Sequence, residues 1–167
     1  MKEYNVLYLC HDLLDFDGTR GDMIYFLHRL SEHGIKYRYK EHLVGEKIDV
    51  GNYDFIYAGV APQKYEKLYL KCLLEDITGL SEYIEAGKAM LAVEQSFLFL
   101  GTSLEKDGKK QSLVGALPLE IKEIKEYTIG NILLDTTLQQ GEGIKLQSKI
   151  NGFFNSKYTF AGDENLQ

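Results

Sequence analysis

Asn5-Val6-Leu7-Tyr8-Leu9-Cys10 is a short, almost continuously apolar run. Strict alternation of apolar and polar residues would mark a strand with one wet face. An unbroken run marks a strand covered on both faces, as in a parallel sheet under helices. Two further runs read the same way: Asp54-Phe55-Ile56-Tyr57-Ala58-Gly59, which ends in the loop Gly59-Val60-Ala61-Pro62, and Ala89-Met90-Leu91-Ala92-Val93. Between the first two, Met23, Phe26, Leu27 and Leu30 recur at helical spacing, and Gly34 stands where a helix stop belongs. Tyr37 and Tyr39 then alternate with Lys and Arg, the pattern of an edge strand. Between the second and third runs, Gln63 to Ala86 is amphipathic, and Gly79 is expected to break it into two helices. After the third run, Glu94-Gln95-Ser96 leads into an apolar helical segment through Leu100. Alternating strands and helices predict a parallel sheet wrapped by helices.

From Leu113 the pattern becomes β-like, with short candidate strands at Thr128 to Leu134, Gly143 to Ile150 and Lys157 to Phe160, punctuated by Gly and Asn. The fold expected is an α/β three-layer sandwich. It has a mainly parallel, flavodoxin-like sheet and an antiparallel β extension in the C-terminal third. No repeat or linker divides the 167 residues, so 1–167 reads as a single domain with a core that needs no staple.

The formal net charge of -6 argues against a nucleic-acid binder, which would carry a basic stripe. Cys10 and Cys72 lie far apart in the sequence and form no CxxC pair, which excludes zinc ribbons and disulfide scaffolds and suits a reducing cytoplasm. His11, His28, His33 and His42 show no metal-ligand spacing, so neither a metal nor another cofactor is expected. No apolar run approaches the ~18 residues of a membrane helix. Met1-Lys2-Glu3 does not open a signal peptide. A cytoplasmic protein without membrane insertion is the expectation.

Ligands of open α/β sheets bind outside the carboxyl ends of the strands, which selects three loops. At the third, a strand, a one-residue turn and an immediate helix make the geometry of a nucleophile elbow. The turn residue is Glu94, followed by Gln95 and Ser96. A carboxylate suits the free N–H groups of a helix start but is a poor acyl-transfer nucleophile. It reads either as a helix-capping acid or as a ligand contact. The second loop, Gly59 to Gln63, could offer backbone N–H groups to an oxyanion, except at Pro62, which has none.

The first loop, Asp15-Phe16-Asp17-Gly18-Thr19, matches the DxDGT signature of haloacid-dehalogenase-type phosphatases. Phe160-Ala161-Gly162-Asp163 resembles their magnesium-binding element. That signature belongs at a strand tip, however, and His11, Asp12, Leu13 and Leu14 intervene. Arg20-Gly21-Asp22 reads as a helix N-terminal turn capped by Asp22.

Several stretches in order resemble the class I, triad-type glutamine amidotransferase domains of the CobB/CobQ-like group. The pattern is closest to the GatD-type glutaminase subunit of lipid II isoglutaminyl synthase. Leu14 to Asp22 is similar to the family's LNxYGDRGN element, and Tyr53 to Gly59 to its YDLIxxGG strand, with Gln63 at a recurring Gln. Ile84 to Val93 resembles the IxxGxPxLAIC approach to the nucleophile. Gly115-Ala116-Leu117, Ile129-Gly130-Asn131 and Gly152-Phe153-Phe154-Asn155 follow the order of its GLG, IGN and GFENH elements.

The departures are specific. The family's catalytic Cys falls on Glu94, the small residues after it on Gln95 and Ser96, and its oxyanion glycines on Val60 and Ala61. Its catalytic His lies in a segment later than Gln167. A glutaminase needs a thiolate, a base and oxyanion donors, so no intact catalytic residue is expected, with Glu94 at the nucleophile position. The resemblance implies ligand-binding positions at Gly59, Val60, Gln63, Glu94, Gln95, Ser96 and Arg20. It also implies a partner, a Mur-ligase-like or other ATP-dependent synthetase subunit that in the family receives ammonia for cell-wall precursor or cobyric acid type amidation. The alternatives are a phosphatase using Asp15 and Asp17, and a non-enzymatic module that binds a small ligand.

Overall fold

The computed structural model describes residues 2–140 and 144–162. In chain order, β1 (Glu3–Tyr8) is followed by the single turn α1 (His11–Leu14), then α2 (Thr19–Glu32) and β2 (Lys36–Glu41). The two-residue β3 (Ile48–Asp49) precedes β4 (Phe55–Ala58), α3 (Glu66–Glu75) and the two-residue β5 (Ile77–Thr78). Then come α4 (Leu80–Glu85), β6 (Ala89–Ala92) and α5 (Gln95–Leu98). The chain continues through β7 (Ser103–Lys106), β8 (Lys109–Ser112), β9 (Leu119–Gln140) and β10 (Ile144–Gly162).

Four strands form one sheet in the order β2-β1-β4-β6, and every pairing in it is parallel. Counted by appearance that order is 2-1-3-4, the flavodoxin arrangement, with its topological switch between β1 and β4. Val6, Leu7, Tyr8 and Leu9 are each at most 1% exposed, which accounts for the unbroken apolar run of a central strand. Helix α2 covers one face: Phe26 stacks on Phe55 at 4.3 Å between ring centroids, and the Tyr57 hydroxyl donates to Asp22 at 2.7 Å. Ile56, which alternates to the other face, is fully buried as well, so a second helical layer closes that side. The architecture is the expected α/β sandwich.

A second sheet has the order β10-β9-β7-β8, with β7 and β8 antiparallel. A small third one pairs β3 with β5. The described residues fall into two compact units, and Lys122–Thr159, made of the paired lengths of β9 and β10, is the second. Within it Lys157 pairs with Glu123 at 2.5 Å. Among the described residues no helix is long and apolar enough to cross a membrane.

Several local expectations are corrected. Helix α2 starts at Thr19 behind Gly18, which takes φ 83° as N-cap. Asp22 therefore sits within the first turn and does not cap it; its carboxylate is engaged by Tyr57. Gly79 does separate two helices, at φ 77°. The run Ala89–Val93 is not buried throughout: Leu91 is 49% exposed, because β6 occupies an edge of the sheet and a short apolar run cannot report strand order. The C-terminal strands are 22 and 19 residues long rather than short. Gly130, Asn131, Gly152 and Asn155 lie inside them and do not interrupt pairing. Of the expected strand Gly143 to Ile150, Gly143 lies outside the described residues.

Candidate functional site: the turn after β6

Strand β6 ends at Ala92, and the Val93 N–H still donates to the Ala58 carbonyl at 2.9 Å, extending the pairing with β4 by one step. The chain then turns in a single residue. Glu94 takes φ 49° and ψ −113°, a conformation that costs a non-glycine residue about 1–3 kcal/mol. Its carbonyl already accepts from the Leu98 N–H at 3.0 Å as α5 begins. This strained strand-to-helix corner is the elbow geometry anticipated from the sequence. The helix-cap reading of Glu94 fails: its side chain makes no capping hydrogen bond. Capping side chains hang from extended backbone, and the elbow forbids that conformation. Its carboxylate is exposed.

The two residues after Glu94 behave differently from each other. Ser96 is fully buried, and its hydroxyl donates to the Gly59 carbonyl oxygen at 2.6 Å. That hydroxyl therefore joins the carboxyl ends of β4 and β6. The Gln95 side-chain oxygen is buried without a hydrogen-bond partner among the described residues, an arrangement that costs about 1–3 kcal/mol if nothing satisfies it.

Gly59 is required by close approach. A Cβ there would stand 2.4 Å from the Leu14 carbonyl oxygen and 2.9 Å from the Thr19 hydroxyl. The next two residues, Val60 and Ala61, are 4% and 2% exposed, and Val60 bridges in parallel to Asp15. Arg20 is exposed beside that bridge, 3.3 Å from Asp15 and 3.8 Å from Glu41. The Asp15 and Glu41 carboxylates raise its already high pKa. Gln63 is exposed and opens a 3₁₀ turn, Gln63–Tyr65. The structure thus gathers Gly59, Val60, Glu94, Gln95 and Ser96 at the ends of β4 and β6. Arg20 stands in the first turn of α2, and Gln63 lies farther along the loop after β4.

The phosphatase alternative finds no support in the geometry. Helix α1 separates Asp15 from the tip of β1. Asp15 is paired with Arg20, and Asp17 is an exposed turn residue at φ 51°. Asp163 lies outside the described residues. Three of the four histidines pair with residues other than Glu94: His11 with Glu41 at 3.7 Å, His28 with Glu32 at 3.4 Å, His33 with Arg29 at 3.1 Å.

His42 belongs to a cluster the sequence did not reveal. It is fully buried with Cys10 and Cys72, whose sulfurs lie 3.1 Å apart. Both are free thiols. His42 and Cys72 stand 32 and 62 positions from Cys10, so no motif spacing could have joined them. A hydrogen bond to Cys72, then burial, push the Cys10 thiol up, while the same bond from Cys10 lowers Cys72. The two sulfurs share one hydrogen bond, which either thiol can donate.

No family model matches the chain, and no curated protein does. Among solved structures, PurLQS from Thermotoga maritima is similar over 98% of this chain and 72% of that one, with a TM-score of 0.49 and 11% identity. A likeness that distant says nothing about activity.

Proposed function

We propose that this chain is a glutamine amidotransferase-like domain of the CobB/CobQ and GatD type that binds at its elbow without hydrolysing glutamine. The observation that carries the reading is Glu94 held at φ 49° and ψ −113° between β6 and α5. Backbone strain of this kind concentrates at functional positions, and the elbow is where such an enzyme presents its nucleophile. Here that position offers a carboxylate. Hydrolysis needs a thiolate, a base and oxyanion donors together. The two free cysteines are buried with His42, and the other three histidines have the partners given above.

In the family the domain serves an ATP-dependent synthetase, Mur-ligase-like in the cell-wall branch, and a cytoplasmic subunit of that kind is the partner we infer. A coupled assay for ammonia release from glutamine tests the central claim. The purified chain is expected to match a heat-killed control, and release above that control would overturn the reading. Glu94→Cys is expected to stay silent too, since a thiol alone supplies neither base nor oxyanion donors.

A second reading rests on the acceptors at the elbow. Glu94 offers an exposed carboxylate and the next residue, Gln95, a buried oxygen without a partner among the described residues, and two acceptors favour a ligand with an amino group. A ligand present at 100 times its dissociation constant adds about 2.7 kcal/mol to stability. A thermal-shift series with amino acids and simple amines would show this, and a flat response would count against it.

A further inference from the structure

We propose that Cys10, His42 and Cys72 form a binding site for one zinc ion. Their donor atoms, two Sγ and one Nδ1, all lie within 4.8 Å of one another, and all three residues are buried. They come from three separate elements: the turn that ends β1, the residue after β2, and helix α3.

The histidine is prepared as a ligand. Its Nε2 lies 2.6 Å from the Glu46 carbonyl oxygen. A carbonyl can only accept, so Nε2 carries the proton and Nδ1 presents a lone pair. Metal-bound histidines are held in the same way, with the far nitrogen donating to a backbone carbonyl or carboxylate. The lone pair now accepts from the Cys10 N–H at a long 3.2 Å, a weak bond that an ion would displace. The Cys10 sulfur lies 3.6 Å from the same nitrogen.

The spacing suits a tetrahedral ion. Zinc bond lengths of about 2.3 Å to sulfur and about 2.0 Å to nitrogen place a sulfur and a nitrogen about 3.5 Å apart and two sulfurs about 3.8 Å apart. The observed sulfur–nitrogen distance of 3.6 Å already agrees. The sulfurs, at 3.1 Å, must open by about 0.7 Å to reach the tetrahedral spacing, which rotation of the Cys72 side chain on α3 can supply.

Two features of the backbone accompany the cluster. Cys10 sits in the left-handed region at φ 45° and ψ 44°, a strained backbone for a non-glycine residue, and such outliers mark functional positions. The backbone around it is clamped, with His42 N–H to Tyr8 O and His11 N–H to His42 O both at 2.9 Å, so two ligands stand on fixed supports. Charge selects the ion: two thiolates and a neutral imidazole balance Zn²⁺, while Cu⁺ would leave a net negative charge in a dry interior. The ligands lie at the carboxyl end of β1, beside the switch between β1 and β4. Zinc there would tie that end of the sheet to α3.

The test uses the full chain, refolded with and without equimolar zinc and then desalted. One zinc per chain by elemental mass spectrometry is the expected result. Cobalt put in its place should give thiolate-to-cobalt charge-transfer absorption with tetrahedral visible bands. Cys72→Ser and His42→Gln, checked for folding by far-UV circular dichroism, should lose both. If either variant fails to fold, the wild-type urea midpoint decides: it should rise with zinc and not with magnesium. Negligible zinc in folded wild-type protein would overturn the proposal. So would cobalt spectra without a thiolate band, or an intact mass two hydrogens lighter after refolding with zinc, which would show a Cys10–Cys72 disulfide instead.

Discussion

The Ser96 hydroxyl donates to the Gly59 carbonyl oxygen at 2.6 Å, entirely within the core. One short side chain thereby ties the loop leaving β4 to the helix leaving β6. Ser96→Ala leaves a buried carbonyl unsatisfied and should cost about 1–3 kcal/mol. Urea unfolding measures this, and a loss below about 0.5 kcal/mol, the range of an ordinary surface change, would show that the bond does not hold the corner.

Gly59 and Gly21 should respond oppositely to the same substitution. At Gly59 the new methyl meets backbone oxygen at 2.4 Å. The loop must move, at a cost expected to exceed about 2 kcal/mol. Gly21 lies inside α2 with nothing within 4 Å of its would-be Cβ. Gly21→Ala should stabilise by about 0.5–1 kcal/mol through helix propensity. Equal effects at the two positions would contradict the packing described for the loop after β4.

Glu94→Gly should raise stability. Glycine accepts positive φ without a Cβ penalty, so up to about 1 kcal/mol should be recovered after its larger unfolded-state entropy is set against the relief. Glu94→Val should do the reverse, since a β-branched residue tolerates that conformation worst. Thermal melts of the three proteins rank them, and a destabilised glycine variant would mean that the Glu94 side chain contributes more than its backbone costs.

Asp54 supplies a pH test. Its carboxyl accepts from Lys2 at 2.8 Å and from the Asn5 N–H at 2.8 Å, and these contacts, Lys2 first, hold it below the ordinary carboxylate value of 3.8. A group whose pKa is depressed by folding stabilises the protein above its unfolded pKa. That contribution disappears as pH falls through the folded one. Asp54→Asn should therefore be less stable than wild type at neutral pH, with the two urea midpoints converging below about pH 4. Parallel curves across that range would remove Asp54 from the acid response.

The sheet was legible because β1 and β4 are central, and centrality writes itself as unbroken apolar runs at Val6–Leu9 and Ile56–Ala58. The elbow was legible for a related reason: a strand, one residue and a helix leave room for little else at Glu94. Strand length was hidden. Gly130 and Gly152 look like punctuation, but each lies within a long strand, where partner pairing decides and local propensity does not. The Cys10–His42–Cys72 cluster could not be read at all. Its members meet only after β1, β2 and α3 are in place, and their spacing records that assembly in no periodic form.

The strand order β2-β1-β4-β6 also dictates which parts of the molecule open first. Amides of β1 and β4 are enclosed by a strand on either side and by helices above and below, so solvent deuterium reaches them only when the whole sheet comes apart. Lys122–Gln140 and Ile144–Thr159 form a two-stranded ribbon in which most of the described side chains are exposed, and such ribbons are marginal in water. The chain should therefore keep two clocks, with the ribbon labelling early and the strands beside the Cys10 cluster labelling last.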